Sequence, residues 1–463
     1  EEPRLHADPR WRHALLWRRY ERLRQRCAAV AGAATSDDAV AVDLRSRFAY
    51  FDDPLRPAFL ESAGGSQVPR VVVEAMARAL EARWRDETGK LLKRRARRAV
   101  ARWFGTLGHD SDDEEPFVVF GANATALFRE LAAGLRRRLV RRRRRESASV
   151  HHKVVVVVCE ASHSANLEPW LSELEEDICE VRTIRDPDHK SALERAARGA
   201  TIVALPHASN LTGTVYALTD AVKIVRRVAP DALVVADGVA YAPHRRADVA
   251  ALGVDVYVVA FHKTFGPHLG AAIWAPRWAS REEELPLELP SSSSCSKKSC
   301  PAASWERGTV DAEACAGVAA LAETYLHDDL GRGSFDRAFE AIRHAEQPTH
   351  YRLLVFLESN PAVTILRDDD AQDDDVDTSA AALSSRASRL PIVAFSHERL
   401  AAHRIAATCK DCGVAVRAGD FLSPRLLRRV ARGGVDAVVR VSLAHYTTLR
   451  DLHRLFAALE RLP

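Results

Sequence analysis

Lysine is scarce in this chain. Only nine of its 67 basic residues are Lys, so arginine is the default positive charge and each lysine asks for a reason. Cysteine is thin as well: eight residues scattered over 463 exclude a disulfide framework and favour a reducing compartment. Cys295 with Cys300, and Cys409 with Cys412, could in principle make a four-thiolate zinc site, but the first pair is loosely spaced in a low-complexity tract, so no metal is expected. No apolar run approaches the ~18 to 20 residues that a membrane span needs. Nor is there a dominant sign of charge. With 67 basic and 63 acidic residues the net charge is only +4, which gives no global field to draw nucleic acid. The chain reads as soluble and cytoplasmic; its numbering starts at Glu1 without Met, which leaves an organellar targeting peptide open.

What is present is an alternation. From residue 117 onward the β-branched runs "FVVF", "KVVVVV", "TIVALP", "LVVAD" and "VYVVAFH" alternate with longer helical stretches, the pattern of an α/β layer with a largely parallel, buried sheet. After "WERGTV" (305–310) come two long helical stretches, and strands return at "LPIVAFS", "VAVRAG" and "VVRVSL". These shifts predict an Arg-rich N-terminal extension (1–43), a large domain (44–310) and a smaller C-terminal α/β domain (311–463). Three segments look inserted: a basic one (136–150), a Ser/Cys loop (286–304) and an acidic one (367–389). The run of arginines at 136–145 could be a nucleic-acid patch, but a charge run at a helix end is more often a solvated extension, and a nucleic-acid partner is not expected.

Ligands of parallel α/β sheets gather beyond the C-terminal ends of the strands, and five such ends carry unusual residues. "VVFGANATALF" places a small-residue turn before a helix starting near Ala124 and Thr125, where free amides and a hydroxyl suit a phosphate; Asn123 there could equally be a plain N-cap. His163 follows "VVVVVC", Asn210 follows "IVALP", and Asp237 closes "LVVAD", where a buried carboxylate needs a partner. The fifth end is "VVAFHKTFGPHLG" (258–270), with His262 and Lys263. Arginine stays protonated, whereas a desolvated lysine can lose its proton and attack a carbonyl. A phosphate cradle, an imidazole, an amide, a buried carboxylate and a lysine together match the needs of pyridoxal 5'-phosphate.

The wording and order of "SAGGSQVP", "ASHSANLEPW", "SNLTGTV", "ADGVAYAPHRRADV", "FHKTFGPHLG", "WERGT" and "VRVSLAHYTT" resemble the class V aminotransferase superfamily, most closely its cysteine desulfurase-like branch. The resemblance covers roughly residues 44–460 apart from the inserts. It implies a pyridoxal phosphate enzyme of fold type I, with a mostly parallel seven-stranded sheet and a homodimer with shared sites. It implies Lys263 as the Schiff-base lysine, Asp237 as partner of the pyridine nitrogen and His163 as the ring stacked on the cofactor. Asn210 would bond the phenolic oxygen, Thr125 and His262 would hold the phosphate, and Thr309 would reach the neighbouring subunit's phosphate. Arg440 would grip the α-carboxylate of a small amino acid, with Arg417 as a second candidate.

Three positions depart from the family pattern. Ala240 and Ala260 replace polar residues beside the phenolic oxygen and the phosphate, each loss being worth ~1 to 3 kcal/mol of cofactor binding. Leu422 stands where group II desulfurases carry the persulfide-forming cysteine. Lyase, aminotransferase and epimerase chemistry all stay open, as does a catalytically weak cofactor-binding scaffold.

Overall fold

Valine and isoleucine runs become strands because their branched side chains fill a pleated surface that is covered on both faces. The structure, a computed structural model, describes residues 43–82, 87–108, 115–145, 153–174, 179–278, 281, 284–288, 305–368, 389–431 and 434–462. Nearly all of the N-terminal extension, Cys295 and Cys300 in the Ser/Cys loop, and most of the acidic insert lie outside the described residues.

The strands in chain order are β1 (Ala58–Phe59), β2 (Val118–Gly121), β3 (Val154–Cys159), β4 (Cys179–Ile184), β5 (Ala200–Pro206), β6 (Leu233–Asp237), β7 (Val256–Ala260), β8 (Gly270–Trp274), β9 (Val363–Ile365), β10 (Ile392–His397), β11 (Val414–Ala415), β12 (Arg417–Gly419) and β13 (Val438–Ser442). Seven form one sheet in the order β2-β8-β7-β6-β5-β3-β4. Strands β3 to β7 pair in parallel, and only β8 runs against its neighbours β7 and β2, so the sheet is mostly parallel as expected. Alternate residues feed opposite faces: Val234 and Ala236 enter one core, Leu233 and Val235 the other.

Helix α1 (Ala124–Arg145) follows β2. Its Leu127, Leu131, Leu135 and Leu139 join the core at helical spacing. The basic run is therefore the last turns of this helix. Arg137 and Arg141 bind Glu130 and Glu288.

The second sheet, β12-β13-β10-β9, is antiparallel throughout. Helices α3 (Ala402–Asp411) and α4 (Leu449–Leu459) supply Ile405, Leu452 and Leu455 to its core. Helix α2 (Ala312–Ala320), which precedes them, behaves otherwise. It is apolar but for Glu313 and packs on the helices Arg70–Glu81 and Glu87–Trp103, with Gly317 so close to Met76 that a Cβ would lie 2.7 Å from its Cγ. Ala314, Cys315, Val318 and Ala319 thus join the core of the first sheet rather than the second. The converse holds near the start. Strand β1 pairs in parallel with β11, Ala58 and Leu60 are buried in the second core, and Arg45 binds Asp451 at 2.6 Å. Each core thus takes in chain from both sides of residue 311.

Among the described residues no helix is long and apolar enough to cross a membrane.

Candidate active site

Strands β6 and β7 are neighbours, with Asp237 opposite Val258, so the residues that follow them share one end of the sheet. A single 3₁₀ turn, Phe261–Lys263, closes β7 and presents Lys263. Lys263 lines a cavity with Asn210, Val239, Ala240, Phe265 and Ala444. Burial pushes its amine down to about 8, helped by the charges of Arg440 and Arg417 and opposed by Asp237. Asp237 moves the other way. Burial raises its carboxyl to about 6, against the Val239 amide that donates to Oδ1 at 3.0 Å and the charge of Lys263. At neutral pH the site thus holds an ionised carboxylate and an amine with an appreciable neutral fraction.

Both residues are locked from behind. The His207 amide donates to the Asp237 carbonyl, its ring stacks on Tyr241 at 3.5 Å, and its Nδ1 lies 2.8 Å from the Tyr257 hydroxyl. A Cβ on Gly238 would fall 2.0 Å from the Tyr257 ring, so glycine is required after Asp237. The lysine turn is strapped by Ser66, whose amide donates to the His262 carbonyl at 2.9 Å and whose hydroxyl accepts from the Phe265 amide at 2.6 Å, holding Phe265 at φ 62.

At the start of α1, Asn123 Oδ1 accepts from the Ala126 amide at 2.9 Å. Asn123 is the N-cap, and the amides of Ala124 and Thr125 have no protein partner among the described residues. His262 stacks on His268 at 4.9 Å, its Nδ1 is buried without a partner, and burial lowers its ring to about 4. His163 is neutral too: burial, then Lys263 and Arg440, lower it to about 3, and its Nδ1 accepts from the Ala165 amide.

The Asn210 side chain meets the loop at Phe421–Ser423. Its Nδ2 donates to the Phe421 carbonyl and its Oδ1 accepts from the Ser423 hydroxyl, both at 2.9 Å, so its amide anchors a loop. The Leu422 carbonyl accepts from the Ser164 amide at 2.7 Å. Phe421 and Leu422 both take left-handed backbone, φ 54 and 55, and Leu422 is 57% exposed. Arg440 is buried beneath them. One terminal nitrogen donates to the Asn210 carbonyl at 3.0 Å, the guanidinium lies 4.1 Å from the Phe421 ring centre, Nε is unpartnered, and burial lowers it to about 10. Arg417 is mostly exposed and pairs with Glu61 at 3.2 Å. Ala260 is buried under the turn.

Thr309 is exposed beside Gly308 (φ 70), on a turn fixed by Glu306, which accepts from Arg97 and the Phe120 amide. The described cysteines are sequestered or remote: burial raises Cys159 and Cys409, the latter to about 11. No group of three or more metal-ligating side chains is found among the described residues. Sequence reasoning missed Ser66, His207, Tyr257 and Glu61. Only Ser66 had a signal, its place in "SAGGSQVP".

A family model described as Aminotransferase class-V matches residues 58–455. The chain is 27% identical over 352 residues to the Aminotransferase-like protein FGM3 of Gibberella zeae, covering 74% of this chain and 78% of that one. It is 28% identical over 317 residues to a cysteine desulfurase of Salmonella typhimurium, covering 66% and 70%. Among solved structures it is similar to the cysteine desulfurase of Thermococcus onnurineus NA1 (TM-score 0.69, 19% identity, 90% of this chain and 96% of that one). It is also similar to the cysteine desulfurase CsdA of Escherichia coli (TM-score 0.68, 21% identity, 91% and 98%). At these identities the two structures speak for the fold, fold type I. The family match spans most of the chain, and the chain belongs to the class V aminotransferase family.

Proposed function

We propose that this chain is a pyridoxal 5'-phosphate enzyme that acts on a small amino acid through Lys263. The observation that carries the reading is the meeting of Lys263 and Asp237 at adjacent strand ends, with the amine lowered and the carboxyl raised. The residues fit the cofactor on independent grounds. The unpartnered His262 Nδ1 and the open amides of Ala124 and Thr125 suit a phosphate, and the neutral His163 offers a ring face.

When bound, the cofactor supplies a carbonyl for amine exchange and a ring that accepts the electron pair released at the substrate α-carbon. The protein does the rest. Asp237 holds a proton on the ring nitrogen by a charge-assisted bond. Lys263, with part of its population neutral near pH 7, takes the α-proton and returns it. Arg440 orients the α-carboxylate with its free donors, and Phe421 shields that contact from water. Thr309 completes the partner subunit's site in a homodimer, which its exposed position allows.

Sulfur transfer by a loop thiol is not part of this reading. Leu422 occupies the loop tip, and the loop is pinned by Asn210 and Ser164. The enzyme labilises a β-substituent directly, or transaminates or epimerises. A cofactor-binding protein of feeble turnover is the second reading, favoured by Ala240, Ala260 and an Asn210 amide already bonded to the loop.

The experiment is borohydride trapping of the purified protein, with and without Lys263→Ala, followed by incubation with single amino acids and mass mapping of cysteines. An adduct on Lys263, lost in the variant together with at least about 10⁴-fold of turnover, is the expected result. An adduct on another lysine sinks the assignment. A stoichiometric persulfide after incubation with cysteine restores loop-independent desulfuration, and a trapped adduct without turnover on any amino acid favours the scaffold.

A further inference from the structure

The mouth of the site holds an arrangement of charges that the proposed chemistry does not require. Arg417 on β12 and Arg440 on β13 are direct cross-strand partners, so both side chains leave the same face of the second sheet. Two guanidinium groups placed this way repel each other, and together they would suit a ligand with two negative charges. Glu61 intervenes. It comes from the far end of the chain, bridges to Ser442 two residues beyond Arg440, and accepts from an Arg417 terminal nitrogen at 3.2 Å. Its carboxylate is the more sheltered member of that pair, 24% exposed against 64% for Arg417. The following turn closes over it. The Gly64 amide donates to the Glu61 carbonyl at 3.0 Å, and a Cβ on Gly64 would lie 2.7 Å from Glu61 Oε1. Arg440, deeper, keeps an unpartnered Nε. Its charge is eased by Glu61 and aggravated by Arg417, and Lys263 in turn feels both arginines, which puts all four groups in one electrostatic neighbourhood.

We infer that Glu61 sets the charge class of the substrate: it neutralises Arg417 and stands beside Arg440, so the site takes one carboxylate and refuses an amino acid whose side chain carries a second. The inference rests on the amino-acid reading above and specifies it. An exposed ion pair of this kind adds little to stability. Its effect lies in discrimination, because a side-chain carboxylate arriving at Arg417 meets a like charge already there. Removing that charge while keeping the shape turns a repulsive position into a free guanidinium.

The test uses the holoenzyme, comparing wild type, Glu61→Gln and the double variant Glu61→Gln/Arg417→Ala. Titrations with L-alanine and L-aspartate are followed by the visible band of the cofactor, and thermal shifts are read with propionate and succinate. The wild type is expected to prefer alanine and propionate. Glu61→Gln should move the aspartate-to-alanine affinity ratio by about tenfold or more toward aspartate, and the double variant should lose that gain. An unchanged ratio in Glu61→Gln, or a gain that survives removal of Arg417, overturns the inference. If no amino acid perturbs the band but propionate protects better than succinate and Glu61→Gln reverses the order, the amino-acid reading falls while charge selection by Glu61 stands.

Discussion

The two walls of the site are made in different ways. Asp237, His163 and the Lys263 turn extend from parallel strands; β6 and β7 are buried along their whole length and β3 along nearly all of it. The facing wall is gathered from Glu61, Asn210, Arg417, the Phe421–Ser423 loop and Arg440, and its loop holds two consecutive non-glycine residues in left-handed backbone. A strand end fixed by ladder bonds and core packing keeps a reacting group within the small tolerance that chemistry needs. A loop can change residues without disturbing the ladder, which suits selection among substrates. On the proposed reading the first is a cofactor wall, rigid and general, and the second a substrate wall, assembled and particular.

Substitutions can break this contrast. On the cofactor wall, Asp237→Asn keeps the shape but weakens retention of the ring proton, so turnover should fall by about 10² to 10³ with little change in Tm. A fallen Tm with unchanged turnover per bound cofactor would make Asp237 structural instead.

The same wall should carry a stability penalty. The folded-state value of Lys263, about 8 against 10.5, means that folding disfavours its proton. The penalty is full below pH 8 and fades as pH rises to 10.5. The cofactor-free Lys263→Met protein should therefore be more stable than wild type at pH 7, by up to about 3 kcal/mol, with the gap closing above pH 8. Denaturant titrations at pH 7 and pH 10 check both the sign and the trend.

On the substrate wall the effects should be smaller. Arg440→Lys keeps a charge but loses the planar fork and its stacking on Phe421, so kcat/KM should drop by about 10 to 100, mostly through KM. Smallest of all, Leu422→Asn places a residue tolerant of left-handed backbone at φ 55 and should raise stability by about 0.5 kcal/mol without touching turnover. A loss of turnover there would show that the loop tip does more than bridge Ser164 and Asn210.

The contrast also explains what could be read from the sequence. Five of the seven strands of the large sheet, and the placing of Asp237, His163 and Lys263 at strand ends, follow from runs of β-branched residues and their punctuation; β4, where such residues alternate with charged ones, and β8, with a single β-branched residue, are not legible that way. Helix α2, apolar but for Glu313, offers no polar face by which its sequence could tell which sheet it packs on. Glu61 pairs with a residue 356 positions away, and Asn210 with the backbone 211 positions away. Such contacts leave no periodic trace, and an amide shared between two loop groups resembles any other asparagine in a turn.

The pairing of β1 with β11 bears on how the chain comes off the ribosome. Ala58 and Leu60 have their core, and Glu61 its neighbours Arg417 and Ser442, only after residues 414–442 have been made. The strap that carries Ser66 to the lysine turn follows directly on that strand. The segment 58–66 therefore waits, with an open loop of more than 300 residues, until the second sheet closes it. Vectorial synthesis should leave a nascent chain whose large sheet can pair while the lysine turn still lacks its strap from Ser66.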